Sequence, residues 1–184
     1  MDKTYQQKHE LWLSITFASF AINNEEIKSR LYEFSLMAFR HMKWLGGDAL
    51  DSGSDYNYDR SIMLYKRNTV FEIIEDLVQQ IQNIQVSYPN SILGERVKTD
   101  DTYLLEYLSQ VLKVKENNQE TTAFNMKRTW LDKNLEQDQI DALTLFLFEE
   151  SYKEYELILV YAYMQARTKD ALHFNVFQDL IDES

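Results

Sequence analysis

A chain of 184 residues with only four glycines and one proline lacks the turn-formers that many short strands require, so long helices are the expected architecture. Acidic residues outnumber basic ones 30 to 19, and the net charge of -11 gives no drive toward nucleic acid or an anionic membrane surface; it favours solubility and suits capture of a cation. With no cysteine, disulfides, thiolate zinc sites, iron–sulfur clusters and cysteine nucleophiles are excluded, and any metal ligand must be oxygen or imidazole.

Over residues 4–21, Leu13, Phe17 and Ala21 recur at helical spacing until Asn23 and Asn24 interrupt the pattern. A second helix begins near Glu25, whose charge suits a helix N-terminus, and carries Ile27, Leu31, Phe34, Ala38, His41 and Leu45 as far as Gly46 and Gly47. Residues 48–60 are polar and turn-rich, which predicts a surface loop long enough to move. A middle section follows, with one helix over about 61–86 closing before Pro89 and an amphipathic run over about 100–115. Residues 116–135 are polar, with a short helical piece expected around 124–131. A long helix over 136–167 and a final helix, capped by Thr168 or Asp170 and running through Leu172, Val176 and Leu180, complete the chain.

The expected organisation is a single helical domain over 1–184, with a first helix pair at 1–47, middle helices at 61–116 and a second pair at 136–184. The N-terminus has no basic region followed by an apolar run, and no stretch approaches the ~20 apolar residues of a membrane span, so the cytoplasm is the expected location. There is no glycine-rich phosphate loop, Gly-x-Ser-x-Gly elbow or His-Glu-x-x-His motif.

The long helix carries the main chemical clue. Its stripe reads Leu143, Leu147, Glu150, Glu154, Leu157, Tyr161 and Met164 at alternating spacings of four and three, which sets two carboxylates on the face expected to meet the core. An isolated buried carboxylate is costly enough that it must pair, take a proton or bind a cation. On the last helix, Leu172, Val176, Leu180 and Glu183 repeat the pattern.

The segment EYELILVYAYMQARTKDALHFNVFQDLIDES resembles the second helix pair of the ferritin-like, rubrerythrin-type di-iron proteins. Glu154 and Tyr161 match the family's Glu-x6-Tyr motif, the turn at Thr168, Lys169 and Asp170 falls where the family turns, and Glu183 arrives where its second glutamate is expected. The family's histidine would lie two or three positions beyond Ser184, which implies that the natural chain continues. In the first pair, Glu10 takes the first ligand position, Phe17 replaces the tyrosine, and His41 takes the Glu-x-x-His histidine. Ala38 stands where that motif has its glutamate, and Glu33 is a loose substitute.

The resemblance implies an all-α, ferritin-like antiparallel four-helix bundle with additional middle helices. It also implies a site built from Glu10, His41, Glu154 and Glu183, with Glu150 nearby, for iron or manganese. The implied activity is metal storage or chemistry with oxygen or peroxide, in a protein expected to form a homo-oligomer, a dimer. His9 and His173 fall off the apolar stripes and are expected at the surface. The reduced ligand set leaves a second reading open, a metal-free bundle serving as an interaction or assembly module.

Overall fold

In a computed structural model, residues 3–53, 67, 69–114, 122 and 136–183 are described, without the side chains of 137, 141, 144, 148 and 152–156. Every regular element among them is an α-helix: α1 (Lys3–Ala21), α2 (Glu25–Asp51), α3 (Val70–Gln85), α4 (Ile92–Lys113), α5 (Gln137–Arg167) and α6 (Ala171–Glu183). Local polar side chains start most of them by satisfying the otherwise unpaired first amides. The Asn24 carboxamide oxygen accepts from the amides of Glu26 and Ile27, both at 3.1 Å. Thr69 and Glu72 form a reciprocal capping box at the head of α3. Ser91 Oγ accepts from Gly94 N at 3.1 Å, and Asp170 accepts from His173 N at 3.0 Å, which makes Asp170 the cap of α6.

Three boundaries differ from the sequence expectation for physical reasons. The helix expected from about 61 begins at Val70, because the Thr69–Glu72 capping box fixes its start there. Helix α2 passes through Gly46 and Gly47 and stops at Ser52 and Gly53, where φ is +79°, a conformation that favours glycine. A mid-helix glycine costs about 1 kcal/mol, whereas burying an aliphatic side chain contributes about 1.5–3 kcal/mol. Burial of Leu45 and Ala49 therefore carries the helix across the pair. Helix α4 begins at Ile92, several residues before the apolar periodicity becomes clear, because Ser91 caps it and Gly94 lets its first turn lie against Pro89. Residues 54–60 of the expected loop, 61–66 of the expected middle helix and the short helical piece at 124–131 lie outside the described residues.

Helix α1 packs against α2 and α3, α3 against α4, and α4 against α2, while α5 leans on α2 and carries α6 beside it. The shared core takes Leu11 and Ile15 from α1, Leu31 and Met42 from α2, Ile74, Leu77 and Ile81 from α3, and Leu104 and Leu108 from α4. The helices expected as an added middle section thus supply nine of its residues, six from α3 and three from α4, and belong to the same core. Helix α5 sends Leu159 into it, and α6 has no buried residue. No described helix is long and apolar enough to cross a membrane.

Candidate functional site

Burial on nearly every face of α1 brings a charged side chain into the core, since Lys8 stands one turn before Leu11 and Trp12 and is completely buried. An unpaired ammonium there would cost several kcal/mol, so it requires a counter-ion. Asp101 of α4, also fully buried, provides it at 2.5 Å. The Tyr88 hydroxyl donates to the other Asp101 oxygen and accepts from Lys8 Nζ at 3.3 Å. On the far side His41 of α2, completely buried, places Nε2 3.1 Å from Asp100 Oδ2 and Nδ1 3.8 Å from Asp101 Oδ1. Arg96, one turn earlier on α4, reaches Asp100 at 3.2 Å from the surface.

Burial pulls the Lys8 pKa below the ordinary lysine range, and Asp101 and Asp100 oppose that pull. Burial is also the largest influence on His41, lowering it to about 4; the positive charge of Lys8 adds to this, while Asp101 and Asp100 act against it. The imidazole is consequently neutral at pH 7. Because Nε2 faces a carboxylate, the proton is assigned to Nε2, leaving the Nδ1 lone pair toward the interior. Tyr88 is raised by burial and by Asp101, so its hydroxyl keeps its proton to donate. One ammonium, two carboxylates, a neutral imidazole and a phenol therefore join α1, α2, α4 and the loop before α4 in a single network.

The residues named for the ferritin-like site occupy different surroundings. Glu10 is half-buried and accepts from Gln6 Nε2 at 3.3 Å. Glu150 and Glu183 are exposed, and the side chain of Glu154 lies outside the described set. Tyr161 is half-buried, and Glu33 is exposed in a surface pair with Arg30 at 2.7 Å. His173 is exposed as expected. His9, expected at the surface, is instead buried beside Trp12, because α1 has no fully solvated face there. Among the described residues no group of three or more His, Asp or Glu side chains could hold a metal ion. His41 enters a charged cluster, and its partners there are Lys8, Asp100 and Asp101.

Those three partners were not singled out from the sequence, although a signal exists. Asp101 interrupts the stripe Val97, Leu104, Leu108 and Val111 just as Glu150 interrupts that of α5. On α5, however, the apolar stripe turns outward: Leu147 is 39% exposed, Leu157 46% and Met164 44%, while Ile140, Leu159 and Gln165 are the buried positions. No protein-family model, curated protein or solved structure matches this chain. The geometry alone therefore carries the functional reading, from two features: a core whose only deep cation among the described residues is Lys8, and an outward apolar seam on α5.

Proposed function

We propose that this chain is a helical interaction module that works without a metal, with the α1–α4 bundle as scaffold and the α5–α6 hairpin as docking arm. The observation that carries this reading is the outward seam of α5. Leu147, Leu157 and Met164 share one helix face and remain 39–46% exposed, and Leu172 and Val176 of α6 are exposed at 70% and 45%. Grouped exposed apolar side chains of this kind mark docking surfaces. The Lys8–Asp101 ion pair supports the metal-free part, because an ammonium already supplies the positive charge that the buried carboxylate requires. The test is photo-cross-linking in cells from p-benzoylphenylalanine at Leu157. Discrete adducts are expected from that position and none from Tyr32, which is 51% exposed on α2; the same pattern from both positions overturns the reading.

A second reading, a ferritin-like iron or manganese centre, is favoured by one observation. Asp182 of α6 opposes the burial-driven lowering of Lys43, which stands two residues from His41 on α2. Glu183 follows Asp182, and the ferritin-like arrangement would need it near that imidazole. Metal analysis of protein purified without chelator separates the readings: about one or two ions retained per chain supports a centre of this kind, and none supports the module.

A further inference from the structure

We infer that the partner of the α5 seam is a cationic amphipathic helix. This rests on the docking reading above and specifies the chemistry of the partner. Leu147, Glu150, Leu157 and Met164 follow at intervals of three, seven and seven, heptad positions by which one helix receives another, and all four are exposed. At 1.5 Å per residue the stretch from 147 to 164 spans about 26 Å, room for a partner helix of about 17–20 residues.

Charge selects among helices that could fit. Residues 136–183 carry eleven acidic and three basic residues, so this segment holds most of the net charge of -11. A second copy of the chain would bring an equally acidic hairpin against it, and like charges facing each other across a helical seam oppose pairing. An uncharged partner would leave the acidic excess of this segment unmatched. A helix with leucines on one face and lysines or arginines flanking them meets both requirements, and the acidic field also speeds its encounter.

The test uses the full chain and three fluorescent 21-residue peptides: leucines in seam register flanked by lysines, the same peptide with glutamates for lysines, and the lysine peptide with its leucines scrambled out of register. Anisotropy at physiological salt should show the in-register lysine peptide binding at least tenfold tighter than either of the others. Leu157→Asp should weaken it at least tenfold while leaving the circular dichroism spectrum and melting temperature unchanged, with Met164→Asp as an independent check. Glu150→Lys should lessen the preference for lysine over glutamate. Equal affinity for the lysine and glutamate peptides would overturn the charge assignment while leaving a docking seam in place. Equal affinity for the scrambled peptide would overturn it as mere charge attraction, and a dimer dissolved by Leu157→Asp that excludes every peptide would assign the seam to a second copy. Absence of binding to any peptide, with no cross-links from position 157, would remove the docking reading as well.

Discussion

At the scale of single residues, the Lys8–Asp101 contact is a buried ion pair whose removal is costly only when one side is left behind. Lys8→Met should destabilise the fold by about 3–5 kcal/mol, the range for an uncompensated buried charge, and adding Asp101→Leu should recover much of that loss. Urea denaturation of the two single variants and the double variant measures the coupling directly. The histidines give a pH signature. Burial holds both His9 and His41 at about 4, below the ordinary value of 6.5. As pH falls through 6.5 the unfolded chain takes up protons that the folded chain refuses, so stability is complete above 6.5 and is lost between 6.5 and 4. Each imidazole contributes on the order of 3 kcal/mol to that loss. His41→Gln should therefore flatten the acid limb of a stability–pH curve measured by chemical denaturation, and an unchanged slope would refute the assignment. Lys8 was illegible in the sequence because a lysine among Leu11, Trp12 and Ile15 reads equally well as a solvated residue, and only the approach of α4 shows which holds.

At the scale of elements, much of the fold was legible. The Asn23–Asn24 break, the stop before Pro89 and the Asp170 cap gave the end of α1, the end of α3 and the start of α6 to within a few residues, because capping and turn chemistry are local, whereas the start of α3 lies at Val70 and not near 61. Which face of a helix meets the core is not a local property. Periodicity finds an apolar stripe on α5 but not its direction, and here α2 takes Leu159 instead of the stripe through Leu147 and Leu157. Glu150, expected on the core face of that stripe, is exposed, while His41, on a stripe that does face inward, is buried. Gly94 sets another element-level constraint, since an added Cβ would lie 1.9 Å from the Pro89 carbonyl oxygen. Gly94→Ala should cost about 1–3 kcal/mol, as overpacking does, and lower the melting temperature. A variant as stable as the parent would show that the turn before α4 yields freely.

At the scale of the whole molecule, α1–α4 form a core cross-braced by the charged network, and the acidic α5–α6 hairpin rides on α2. The proposed division into scaffold and docking arm makes the two separable in effect: substitutions at Lys8 or Asp101 should change stability, and substitutions at Leu147 or Leu157 should change association. Iron(II) or manganese(II) should leave the melting temperature unmoved, since a ligand that binds only the folded state raises it by mass action. Glu154→Leu should be equally indifferent to metal.

Cross-linking from p-benzoylphenylalanine at Leu157, performed in parallel with and without a chelator, tests docking and metal independence together. The same discrete adducts are expected in both conditions and none from the control at Tyr32. Adducts that vanish with the chelator and return with iron(II) or manganese(II) would contradict metal-independent docking and place a metal at the centre of this protein's function.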